Sequence, residues 1–158
     1  MSQFFAALSV WLHSLATIVL IGHYLLLSLI YLPALMKDGP AHQNGAILSE
    51  ISKRSRGWLY AALLIFAITG VYLTLTDPNY LGLGNFGNAW GVLMLVKHLL
   101  VLAMIAMGFW FNAVLRVGPL MSSNSGAALA SARFRTYSNW MSICGVLILL
   151  LTAFAQVR

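Results

Sequence analysis

Apolar residues in this chain come in long unbroken blocks separated by short polar stretches, with no two-residue alternation. Four blocks stand out, at about 5–35, 57–76, 90–116 and 138–157, each near or above the ~20 residues an α-helix needs to cross ~30 Å of hydrocarbon. A membrane barrel would alternate in polarity from residue to residue, so the pattern predicts helices. The first block has no basic leader and no small-residue cleavage site, and its apolar run outlasts that of a signal peptide. It reads as a retained helix. The expected fold class is all-α: a single domain over residues 1–158, an integral membrane four-helix bundle with up-down-up-down connectivity.

Composition agrees with this. The 158 residues are 61% hydrophobic and 8% charged, with mean hydropathy +0.87. A soluble domain of this size leaves too many residues outside to hide so much apolar surface.

The net charge of +6 is explained by its placement. Lys37, Lys53, Arg54 and Arg56 lie between the first two blocks, and Arg116, Arg133 and Arg135 between the last two. The connection "TDPNYLGLGNFGNA" carries no basic residue and one acid, Asp77. Short loops rich in Lys and Arg stay cytoplasmic. Both termini are therefore expected outside, on the periplasmic face of a bacterial inner membrane. The partner implied is the lipid bilayer, with basic loops against anionic headgroups, and nucleic acid is not implied. The glycine-rich connection is expected to be irregular, as a connector or a lid. "MSSNSGAALASARFRTYSN" starts polar and then reads as a short amphipathic helix ending before the fourth span. Trp11, Trp58, Trp90, Trp110 and Trp140 fall mostly near span ends, where an interfacial aromatic belt belongs.

The polar residues inside the spans carry the candidate chemistry. His13 lies about eight residues into the first span and His98 about eight into the third, so at ~1.5 Å per residue both sit ~12 Å below the outer surface. Two imidazoles at one depth on parallel helices are an arrangement that clamps haem b by bis-His ligation. Ser14, Ala16, Gly22, Ala103 and Ala106 leave room for the porphyrin. Lys97, inside the third span, costs ~3 kcal/mol on insertion scales unless it snorkels or pairs with a haem propionate or a substrate carboxylate. It points ~100° away from His98. His23 sits ~15 Å further along the first helix than His13 and ~80° round. Met104, Met107 and Trp110 are the candidates opposite it, either for mixed His–Met ligation or with His23 simply bonded to a carbonyl or to Tyr24. His42 reads as a solvated loop residue.

Copper is the competing metal. Met94 and His98 share a helix face at i,i+4, and thioether with imidazole suits Cu(I). The bland reading of Met94, Met104 and Met107 is core packing. One cysteine, Cys144, rules out an internal disulfide and a cysteine-based metal centre. The only acids, Asp38, Glu50 and Asp77, lie in loops, which leaves no paired-carboxylate or triad chemistry. "GLGNFG" is not a phosphate-binding loop.

Several stretches resemble one superfamily. "LHSLATIVLIG", "RSRGWLYAALLIFAITGVYL", "VKHLLVLAMIAMGFWFNAVLR" and "RFRTYSNWMSICGVLILLL" resemble, in order, the four helices of copper resistance D (CopD) domains and of the HemJ type of protoporphyrinogen oxidase. The resemblance implies His13 and Lys97 as the signature polar pair, with copper movement on the CopD side and haem or porphyrin binding on the HemJ side. His23 stands where those proteins carry glycine, and Pro33–Ala34 where HemJ-like chains have Pro-Arg. The added His23 and His98 favour a haem-carrying, cytochrome-like protein.

The leading expectation is thus a haem b protein for one-electron transfer to a quinone or a partner subunit, with His13 and His98 on the iron and Lys97 near a propionate. A copper permease using His13, Met94 and His98 is the alternative from the transport class. A non-catalytic small subunit of a larger redox complex is the third reading, and HemJ-like porphyrinogen oxidation the fourth.

Overall fold

The computed structural model describes residues 3–38, 41–82, 87–113 and 127–156, with side chains 36–38, 41–46, 49, 111–113 and 127–131 left aside. Helix α1 (Gln3–Leu26) passes through a wide π turn (Leu27–Tyr31) into α2 (Leu32–Asp38); α3 (Ala41–Thr76), α4 (Ala89–Ala113) and α5 (Ala127–Gln156) follow. Four segments are long and apolar enough to cross a membrane: Gln3–Leu35, Glu50–Thr76, Ala89–Trp110 and Ala132–Gln156. The described residues contain no strand. The bundle has a basic end, where α2 and the starts of α3 and α5 gather, and a glycine-loop end.

Two helices run further than their apolar blocks. Helix α3 begins at Ala41, so Lys53, Arg54 and Arg56 sit on its surface and not in a loop. Residues 41–56 include no proline and one glycine, and Glu50 accepts a 2.7 Å charged hydrogen bond from Arg54 one turn on. Helix α5 starts at Ala127 and runs unbroken into the fourth span, which merges the separate amphipathic helix expected there. Apolarity marks where lipid begins; it does not mark where a helix ends. Arg116, at the far end of the third block, lies outside the described residues.

The π turn has a visible cause and a visible use. Pro33 lacks an N–H, and the turn just before it widens so that the Leu32 N–H reaches the Leu27 carbonyl. Five residues span ~140° of a regular helix, which would put Leu27 and Leu32 on different faces. The wide turn brings both into one buried cluster with Leu48 and Phe134, closing the basic end.

Close backbone approaches join α1 to α3, α4 to α5, α1 to α5 and α3 to α5. Helix α4 has no comparable approach to α1 or α3, and so leans on α5 alone. Small residues set these contacts, as expected where lipid supplies no hydrophobic drive between helices. Ala16 and Ala62 are buried, and a Cβ on Gly145 would lie 2.8 Å from Ile21 Cγ2. The outward surface is apolar; Ile18, Ile68, Leu102 and Phe154 are all exposed. At the other end the Asn88 side chain accepts the Gly91 N–H at 2.7 Å, capping α4. Tyr80 meets Trp90 edge-on, and Gly82 takes φ +104°, open to glycine at little cost.

Candidate functional site

A cavity of about 170 Å³ lies between the helices, in the half of the bundle toward the basic end. That is about ten times the space one water requires. Helix α1 contributes His23 and Tyr24, α3 Arg56 and Tyr60, α4 Met104, and α5 Tyr137; the remaining lining is mostly aliphatic, with Leu20, Leu63, Val101 and Ile105 among it. It forms because α4 stands off from α1 and α3 while α5 bridges to all three.

His23 is half-buried and edge-on to Tyr24, with ring centroids 5.2 Å apart. Neither of its ring nitrogens is hydrogen-bonded among the described residues. The ring nitrogens open onto a cavity with room for water or for a ligand to bond them. Beside it α1 and α5 are joined by hydrogen bonds, although the buried Ser138 Oγ on α5 has no partner among the described residues. Tyr24 and Tyr137 join hydroxyls at 3.1 Å. Ser142 donates to the Tyr24 carbonyl at 2.8 Å, with the Ser138 carbonyl also in reach, and Ser28 donates to Asn139 Oδ1 at 2.9 Å. These bonds fix α1 against α5 and hold His23 at the cavity.

His13 belongs to a different locus, in the half toward the glycine loop. Its Nδ1 lies 2.9 Å from Thr69 Oγ1, and Thr69 spends its own proton on the Ile65 carbonyl at 2.6 Å. His13 therefore donates from Nδ1–H, which leaves Nε2 with the lone pair. The ring stacks on Phe66 at 4.4 Å and lies against Gly70, where a Cβ would come within 3.2 Å of Cε1. Lys97 is within electrostatic reach of this ring and has no hydrogen-bond or ion-pair partner among the described residues.

His13 and His98 have different partners in the structure. Lys97 lies within electrostatic reach of His13, and the next residue on the helix points ~100° away from it. His98 is exposed and donates from Nδ1 to the Met94 carbonyl at 2.6 Å. Its link to Met94 is thus to the backbone and not to the thioether. No group of three or more His, Cys, Asp or Glu gathers among the described residues. The His42 side chain lies outside the described residues.

Met104 shares the cavity with His23, as one of the residues expected opposite it. Sequence reasoning passes over Tyr60 and Tyr137, which look like ordinary span residues, and meets Thr69 only as half of the Thr69–Gly70 pair in the stretch that resembles the family's second helix. It takes Tyr24 only as a neighbour for His23. Arg56 counts there toward topology alone, although its i,i+4 spacing from Tyr60 puts both on one stripe of α3. No family model matches the chain, and neither does a curated protein or a solved structure.

Proposed function

We propose that this chain is a membrane-embedded, haem b-binding protein of the cytochrome type, with its cofactor in the four-helix cavity and His23 as an iron ligand. One observation carries the reading: an imidazole without a hydrogen-bond partner among the described residues faces an apolar cavity. An open imidazole nitrogen is the commonest protein ligand for haem iron.

The other residues present fit the group. Met104 adds a thioether to the same lining, and His–Met ligation is an established haem pair that raises the potential. Arg56, Ser52 and Ser55 line the cavity toward the basic end, where they suit propionates. Leu20, Leu63, Val101 and Ile105 supply a dry apolar wall. When bound, haem b supplies an iron centre that gains and loses one electron. The chain's part is to hold the ligand, exclude water and set the local dielectric through that wall. The Tyr24–Tyr137 bond keeps the α1 segment bearing His23 in position.

Because Lys- and Arg-rich segments stay cytoplasmic, the Arg56 end of the cavity faces the cytoplasm and both termini lie outside, in a bacterial inner membrane. An electron partner would be a quinone or a neighbouring subunit. The HemJ-like side of the resemblance is in keeping with haem or porphyrin binding. For copper the geometry offers less, because His13 and the Met94–His98 pair do not converge.

The test is a visible spectrum of detergent-purified protein, oxidised and then dithionite-reduced. The expected result is a b-type Soret band with split α and β bands, lost in His23→Ala and kept in His98→Ala. A correctly folded protein that stays colourless after haemin addition rejects the proposal.

A further inference from the structure

Tyr60 and Phe109 each line the cavity, yet they are 55% and 62% exposed. A side chain that touches both an interior space and the outside stands at an opening. The two residues lie on α3 and α4, helices whose backbones approach each other far less than α1 approaches α3 or α4 approaches α5. The cavity therefore opens sideways, through the α3–α4 seam, into the hydrocarbon layer. Toward the basic end the lining includes Leu27, Leu48 and Phe134 of the buried cluster.

Arg56 marks what the opening selects. It is exposed, it borders the cavity, and it has no ion-pair or hydrogen-bond partner among the described residues. Arg54 beside it is already paired with Glu50. Arg56 sits near the start of the α3 span, at the depth of lipid headgroups. From Arg56 to Phe66 the lined stretch of α3 runs ~15 Å, almost all apolar beyond Tyr60. A guanidinium at the interface with an apolar slot behind it matches a molecule with one acidic end and a flat or linear apolar body.

We propose that the cavity loads laterally from the membrane through the α3–α4 seam, and that it takes a lipid-soluble carboxylate whose acid group is held by Arg56. This rests on reading the cavity as a ligand site. Fatty acids and porphyrin propionates share that chemistry, and the experiment separates them.

The full chain is reconstituted into phosphatidylcholine vesicles containing a palmitic acid analogue with a mid-chain diazirine. After irradiation, adducts are mapped by peptide mass spectrometry. Adducts are expected at the cavity-lining Leu63, Met104 and Ile105, besides the outward-facing Leu64 and Leu102. Arg56→Gln should cut the cavity adducts at least fivefold, Arg56→Lys should restore most of them, and the outward adducts should stay constant as an internal control. Adducts confined to Leu64 and Leu102 would overturn the lateral door. Cavity adducts indifferent to Arg56→Gln would overturn the carboxylate assignment. Haemin dissolved in the same bilayer distinguishes the two ligands: competition at the cavity positions puts the porphyrin in this site. Cavity labelling without competition keeps the door and removes haem b as its occupant.

Discussion

The hydroxyl oxygens of Tyr24 and Tyr137 stand 3.1 Å apart, tying the first helix to the last on the wall of the cavity. Tyr24→Phe removes one member without changing shape. Hydrogen bonds between helices in bilayers average ~0.6 kcal/mol by double-mutant cycle. A cycle of Tyr24→Phe and Tyr137→Phe, read by reversible unfolding in mixed micelles, is therefore expected to give a coupling of about that size. A coupling indistinguishable from zero would mean the hydroxyls do not bond.

The ligand assignment predicts a split among the histidine-site variants. His23→Ala is expected to abolish haem binding, and Met104→Leu to keep the haem but convert it from low-spin to high-spin. Thr69→Val, which removes one acceptor of the His13 ring and leaves the Phe66 carbonyl as the other, should cost ~1 kcal/mol of stability at most with the spectrum unchanged. If instead Thr69→Val altered the Soret band and His23→Ala did not, the iron would belong with His13.

Gly145 faces Ile21 with no room for a methyl group, the built Cβ lying 2.8 Å from Ile21 Cγ2. Gly145→Ala should destabilise by ~1–3 kcal/mol through overpacking. Combined with Ile21→Ala, which removes the offending atoms, the loss should be clearly less than the sum of the single variants. Additive losses would show that the two residues do not meet.

Orientation is checked with single cysteines in a Cys144→Ser background. Asn79→Cys in the glycine-loop turn should react with an impermeant maleimide on intact cells, whereas Lys53→Cys should react only after lysis. The reverse pattern would invert the topology and place Arg56 in the outer leaflet.

The spans are legible in the sequence because lipid demands length and apolarity and little else. The site is not, and His13 and His98 show why. Equal depth along parallel axes follows from residue counts. Facing follows from azimuth, which depends on which neighbour each helix leans against. Helix α4 leans on α5, leaving His98 exposed. The ~100° between Lys97 and His98 already implies that only one of them turns toward His13. His23 stands out as a polar residue in an apolar run, but only the packing reveals that its ring is left unbonded beside a cavity. Tyr137 and Arg56 escape notice for a related reason: tyrosine and arginine near span ends usually serve as interfacial anchors.

The wide turn at Leu27–Tyr31 makes the first membrane crossing two helical pieces joined out of phase. Before the turn, the winding of α1 sets which residues meet α3 and the cavity; after it, the count restarts, so that Leu32 lands where a regular winding would have put its neighbour. Each piece can therefore keep its own inward stripe, one serving the ligand and the other the plug at the basic end. Deleting a single residue within the turn would not shorten the protein noticeably. It would let the turn close as ordinary helix with four steps, ~40°, between Leu27 and Leu32, so the plug would keep its place. Straightening the turn with every residue kept would instead swing it ~100° toward lipid.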